Sequence, residues 1–257
     1  PVDRPAATAA EVDYLLETIN EVVATDLSRD DVLTTFAGIR PLAGEESGDT
    51  SDVSREHRID HDGDGLVSVR GGKFTTYRLI AADAVDVVAS LLDVGRPSVT
   101  DAIPLVGAST PAVLEATAER LVGDGLTDLA ARWLVGRHGI QAPQVVAAGR
   151  AVGLTDPLHP DMPYSSAEAW WAIHREGAFT LDDVLARRTR LAIETADHGM
   201  AAAPVVAQLL GEAHGWSGPQ TEAALAAYQE SSSKEYDVPC PVPHERSERG
   251  KGPGEAG

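Results

Sequence analysis

Lysine is scarce in this chain, occurring only at 73, 234 and 251, and one of the three stands where the backbone can give it work. In the run VSVRGGKFTTYR at 67–78, Val67 and Val69 alternate with polar neighbours as a half-buried strand requires, and Gly71-Gly72 follows. Two glycines permit torsions that a side chain forbids. Thr75 and Thr76 are residues that cap helices, and Leu79, Ile80, Val87, Val88, Leu91 and Leu92 then recur at helical spacing. A helix start collects N–H groups without intrahelical acceptors, together with partial positive charge. Lys73 adds a full charge just before it. Such a junction suits an anion, or a ring that becomes anionic on reduction. Taken alone, a Gly-Gly turn before a helix is a common structural device. A second cation gives it weight: Arg40, in AGIRPL at 37–42, is held between a glycine and a proline.

The elements that must position these residues follow from periodicity and caps. Thr8 and Glu11 have the spacing of a capping box, and Val12, Leu15, Leu16, Ile19, Val22 and Val23 form one apolar face, which predicts a helix over 9–24. Residues 32–40, mostly apolar or β-branched, read as a strand, and 43–53 as a surface loop. Segments 55–61 and 66–70 flank Asp62-Gly63-Asp64-Gly65, a hairpin signature. The alternating carboxylates resemble a calcium loop, but the glutamate such a loop needs at its twelfth position is absent. The helix opened by Thr75 should run to about 92 and stop at Gly95.

Beyond about 106 the strands cease. Helices are expected over 111–122, 127–136, 142–152, 169–175, 201–214 and 219–228, with a proline-rich connector at 156–164. Thr180-Leu181-Asp182-Asp183 should cap one long helix reaching to about 197, and 231–257, dense in Ser, Pro, Gly and charge, should be disordered. The fold class is therefore α+β. Residues 1–106 read as part of an α/β domain (helix, strands, β-hairpin, helix), 107–230 as an all-α domain and 231–257 as a tail.

Composition excludes several functions. The 257 residues carry a formal charge of −19, which repels a nucleic-acid backbone. An acidic surface with arginine in place of lysine resembles proteins adapted to high salt. The single cysteine, Cys240, sits between prolines with no neighbour to lower its thiol pKa, and one cysteine builds neither a disulfide framework nor a thiolate metal site. No metal is expected. No apolar run is long enough to span a bilayer and no signal sequence opens the chain, so a soluble, cytoplasmic chain is expected. It starts at Pro1, which points to processing or a trimmed boundary.

Three ordered segments, AGIRPL at 37–42, SREHRI at 54–59 and GGKFTTYR at 71–78, together resemble the C-terminal half of FAD-dependent glycerol-3-phosphate dehydrogenases, within the D-amino-acid-oxidase-like flavoproteins. AEAWWAIHREGAFTLDDVLARRTRLAIE at 167–194 resembles the same family's C-terminal region. The resemblance implies oxidation of sn-glycerol 3-phosphate to dihydroxyacetone phosphate, with hydride transfer to FAD. A dianionic substrate favours arginine, whose fork binds oxyanions in bidentate fashion. The resemblance places Arg40 over the substrate and Lys73 beside substrate and flavin, both as catalytic and substrate-binding residues. It places Gly71, Gly72, Lys73, Phe74 and Thr75 at the pyrimidine edge of the ring, and Arg55 at the phosphate. Phe74 stands where the family usually has leucine.

No G-x-G-x-x-G follows a strand, so the ADP half of FAD has no fingerprint here. In the family that fingerprint and a histidine base lie upstream, so this chain alone should bind FAD weakly or not at all and should not turn over. The electron acceptor, a quinone or a partner redox subunit, stays open, as does membrane attachment through the full-length enzyme or a partner. The incomplete α/β half should expose an apolar edge and favour a dimer or hetero-oligomer. Two other readings remain. One is a related FAD-dependent amine or hydroxy-acid oxidase. The other is a non-catalytic helical module docking on a redox partner, since Trp170 and Trp171 read as packing anchors and His174 and Glu176 as structural.

Overall fold

In the computed structural model, which describes residues 5–39 and 56–240, the amide of Glu11 donates to the Thr8 hydroxyl at 3.3 Å and the amide of Thr8 donates to the Glu11 carboxylate at 2.8 Å. The expected capping box thus starts α1 (Ala9–Asn20). The helix ends short of 24 because the Asn20 side chain turns to the backbone of Leu27, donating to its carbonyl and accepting its amide at 2.8 and 2.9 Å. Arg40, Arg55, the loop at 43–53 and the stretch 241–257 lie outside the described residues.

The remaining elements follow in chain order. Strands β1 (His57–His61) and β2 (Val67–Gly71) precede α2 (Tyr77–Leu91), α3 (Pro111–Gly123), α4 (Asp128–His138), α5 (Ala142–Ala151) and α6 (Ser166–Arg175). The chain continues through a π-helical turn at Asp183–Arg188, α7 (Leu191–Glu194), α8 (Ala203–His214) and α9 (Gly218–Tyr236). An early hairpin with flanking helices followed by a long all-α stretch is the α+β order read from the sequence. Contacts group the chain into two compact units, 1–37 with 148–257 and 38–147, so α1 belongs with the later helices and not with the hairpin.

In the unit formed by 38–147, β1 and β2 pair antiparallel with His61 opposite Val67 and His57 opposite Gly71. Asp62 tightens the turn by accepting the amide of Asp64 at 3.0 Å. α2 lies against both strands, but none of its residues is fully buried, and Leu79, Val85, Val88, Leu91 and Leu92 are exposed. Asp93, at φ +55°, takes the left-handed position expected of Gly95. Thr110 and Thr127 accept amides of Val113 and Ala130 and start α3 and α4, which pack together through buried Ala118, Leu121, Ala131 and Leu134.

In the other unit the core comes from α6, the π-helical turn and α7–α9, with Leu181, Val184, Leu185, Leu191, Val206 and Leu210 buried. The long helix expected over 180–197 is broken. Both the amide and the hydroxyl of Thr189 donate to the Val184 carbonyl at 2.9 Å, a five-residue span that widens the turn. Arg190 then adopts φ +62° before α7 resumes. α9 runs past 228 to Tyr236, with Ser231, Ser232 and Tyr236 buried, so the polar composition of 231–236 belongs to a packed helix and not to a disordered tail.

The strand expected over 32–40 is absent among the described residues. Instead Thr35 donates its amide to the Tyr236 carbonyl at 2.9 Å and Thr34 its hydroxyl to the Ile193 carbonyl at 2.7 Å. These contacts fix an extended segment against helix ends without the ladder partner that makes a strand.

Candidate functional site

The strand-to-helix junction forms as the sequence requires, with one change of detail. Gly71 closes β2 at φ +70° and Gly72 follows at φ +86°, both in the region that favours glycine. A Cβ on Gly72 would fall 2.6 Å from Ile80 Cδ1 and 3.0 Å from His57 Cβ, so the loop is wedged between β1 and α2. Phe74–Thr76 form a 3₁₀ turn that leads into α2. Thr76 does not cap the helix by accepting an amide. Its hydroxyl and its amide both donate to the Lys73 carbonyl, at 2.9 and 3.0 Å. Lys73 is exposed and its ammonium makes no ion pair among the described residues. Phe74 is 89% exposed and stacks on Tyr77 with ring centroids 5.8 Å apart.

Charges on the neighbouring hairpin are engaged. Arg70 and Arg58 both bind the Asp60 carboxylate and hold its pKa below the usual carboxylate range, Arg70 contributing most. His57, opposite Gly71, reaches α2 and hydrogen-bonds Asp83 Oδ2 through Nε2 at 2.8 Å. Sequence reasoning quoted His57 within SREHRI but gave it no partner, and Asp83 carries no local signal, because only the docking of α2 brings the two together.

Of the expected site residues, the structure gathers Gly71, Gly72, Lys73, Phe74 and Thr75 in one exposed turn. Arg40 and Arg55 lie outside the described residues. The turn fits a flavin edge in two respects: its ammonium has no carboxylate partner among the described residues, and a helix N-terminus follows. Among the described residues no cluster of His, Cys, Asp and Glu has metal-holding geometry.

The helical residues that drew attention are structural in their contacts. His174 stacks on Trp170 at 4.2 Å, and its Nδ1 meets the Trp170 carbonyl at 2.9 Å. The Glu176 carbonyl accepts from Arg188 at 2.8 Å. Arg187 and Arg190 pair with Asp183 and Glu194, as expected of a solvated face. A groove of about 550 Å³ opens between 105–108, α3 and α4, and Arg132 on its rim is taken by Glu115 and Asp128.

Residues 98–221 match the family described as the C-terminal domain of alpha-glycerophosphate oxidase. The chain is 39% identical over 227 residues to a glycerol-3-phosphate dehydrogenase of Mycobacterium leprae, covering 87% of this chain and 39% of that protein. It is 33% identical over 236 residues to one from Synechocystis, covering 89% of this chain and 43% of that protein. Its fold matches the crystal structure of the Bacillus halodurans glycerol-3-phosphate dehydrogenase complexed with FAD, with a TM-score of 0.72 and 23% identity over 93% of this chain and 47% of that one. The chain thus spans about two-fifths of the length of the curated relatives it matches.

Proposed function

We propose that this chain is the C-terminal portion of an FAD-dependent glycerol-3-phosphate dehydrogenase, and that it supplies the flavin-ring edge and part of the substrate site. The observation that carries this reading is the Gly71–Gly72–Lys73 turn at the start of α2, with its exposed ammonium unpaired among the described residues. The similarity to named glycerol-3-phosphate dehydrogenases across both the hairpin and the helical regions supports it.

Bound FAD supplies the hydride acceptor. The chain's own residues bind and orient. Gly71, Gly72, Phe74 and Thr75 would supply backbone contacts to the pyrimidine edge. The Lys73 ammonium stabilises negative charge that develops on the ring. Arg40 holds the substrate oxygen at which charge develops, and Arg55 binds the phosphate. In this reading the hairpin, the turn and α2 serve the cofactor and substrate, and α3–α9 form the helical part. The dinucleotide fingerprint and the proton-accepting base belong to the remainder of a longer polypeptide. Electrons would leave for a quinone or a partner redox subunit, with the chain cytoplasmic or held at the cytoplasmic membrane through the full-length enzyme or a partner. Among the described residues no helix is long and apolar enough to cross one.

Lys73→Ala in the complete enzyme tests the reading. It should lower kcat/KM for glycerol 3-phosphate by about 10²–10³-fold, the loss typical of one electrostatic contact to a charge-developing atom. Reduction of the flavin by substrate at the wild-type rate would remove Lys73 from the site.

A further inference from the structure

We propose that His57 and Asp83 are a positioning pair that sets the Gly71–Gly72–Lys73 turn against α2 and so aims the Lys73 ammonium. The inference rests on the flavoprotein reading for its consequence, but its structural content stands on geometry alone. His57 is the first residue of β1, and its partner in the ladder is Gly71, the last residue of β2, which enters the turn. Among the described residues the ladder ends at that pair. The side chain of His57 continues the connection by a different route, crossing to α2, where its Nε2 meets Asp83 Oδ2 at 2.8 Å.

Two residues on the same face of α2, three apart, act on the turn. Ile80 Cδ1 on the helix side and His57 Cβ on the strand side lie 2.6 and 3.0 Å from where a Cβ on Gly72 would stand, so only glycine fits between them. Asp83, one turn further along α2, fixes how far the helix slides past the strand by holding the imidazole. The wedge determines the torsions at Gly72, and the hydrogen bond determines where the wedge sits. Lys73 follows Gly72 directly, and its carbonyl is locked by both donors of Thr76, so rotation of the turn carries the lysine Cα with it.

The His57 side chain is 18% exposed and that of Asp83 44%, so the pair adds little to stability by its charge. Neither residue is proposed to touch the substrate or the flavin. Their effect on catalysis runs through the placement of Lys73, where a displacement of about 1 Å can cost about a hundredfold in rate.

The test has two arms. In this chain reassembled with its N-terminal portion, Asp83→Ala should shift the backbone amide resonances of Gly71, Gly72 and Lys73, while Asp83→Asn, which keeps an oxygen to accept the Nε2 proton, should restore most of them. In the complete enzyme, Asp83→Ala should lower kcat/KM for glycerol 3-phosphate by about tenfold to a hundredfold. It should also alter the flavin visible spectrum and lower the melting temperature by only about 2–4 °C. Asp83→Asn should recover most of the rate, and the double variant His57→Ala/Asp83→Ala should be no worse than either single one, since both break one contact. Unmoved turn resonances in Asp83→Ala would overturn the proposal whatever the enzyme does. Additive losses in the double variant, or an unaltered flavin spectrum with full kcat/KM, would overturn it in the enzyme. If instead the wild-type enzyme binds no FAD and oxidises no glycerol 3-phosphate while the turn resonances move as expected, the flavoprotein reading fails and the structural pair stands.

Discussion

Asp197 and Asp183 show how single carboxylates hold the helical unit together. Burial works to raise the pKa of Asp197, but the Thr195 hydroxyl, the amides of Ala201 and Gly199 and nearby His159 outweigh it and leave it below the ordinary aspartate value. Asp183 follows the same pattern: burial raises, and the amides of Phe179 and Thr180, the Thr180 hydroxyl and Arg187 lower by more. A carboxyl depressed in the folded chain is ionised there when its unfolded counterpart has begun to bind protons. Its contribution to stability is therefore complete above the unfolded value of about 4 and is lost as pH falls through the folded one. The melting temperature should owe no change to these groups between pH 7 and pH 5 and should fall below about pH 4. In Asp197→Asn the fall should be shallower, and an unchanged slope in thermal melts across this range would contradict the assignment.

At the level of elements, backbone approach sets the sharpest tolerances. Gly139, at φ +56°, ends α4 where the chain crosses the segment at Gly107, and the amide of Ile140 donates to the Gly107 carbonyl at 3.0 Å. A Cβ on Gly139 would stand 1.8 Å from that carbonyl oxygen. Gly215, at φ +67°, ends α8 with open space around it. Gly139→Ala should therefore destabilise by about 4 kcal/mol or more, against about 1 kcal/mol for Gly215→Ala. Equal losses in denaturant titrations would show that the crossing yields. Elements with local signals were legible in the sequence: the capping box at Thr8, the helix starts at Pro111 and Thr127, the hairpin about Asp62-Gly63-Asp64-Gly65, and the Gly71–Thr75 junction. What escaped depends on distant partners. The break at Thr189–Arg190 needs a carbonyl five residues back, and α9 extends to Tyr236 because Ser231 and Ser232 are buried. The 32–39 segment has strand composition but meets the ends of α7 and α9. The His57–Asp83 contact spans 26 residues and has no periodic signature at all.

Across the whole molecule, the apolar surface left open is extensive. In α1 Tyr14, Leu15 and Ile19 are exposed, and in and around α2 Phe74, Leu79, Val85, Val88, Leu91 and Leu92 are as well. Helix α1 buries only Val12 and α2 buries nothing, although each has an amphipathic pattern that ordinarily meets a core. The chain spans about two-fifths of its curated relatives, and these faces are where we place the remainder of the polypeptide. On its own the chain should self-associate at micromolar concentration and bind an apolar dye, and both should diminish when the N-terminal portion is supplied. A monodisperse, dye-silent monomer in sedimentation velocity would contradict that placement. The central claim is that this chain carries the flavin-ring edge but not the dinucleotide fingerprint. It is tested most directly by titrating FAD into the chain alone and into the chain reassembled with its N-terminal portion, following fluorescence quenching and the visible spectrum. Our account predicts weak or no binding by the chain alone, and binding by the reassembled pair with bleaching on addition of glycerol 3-phosphate. Tight stoichiometric binding by the chain alone, or no binding and no bleaching by a confirmed reassembled pair, would contradict it.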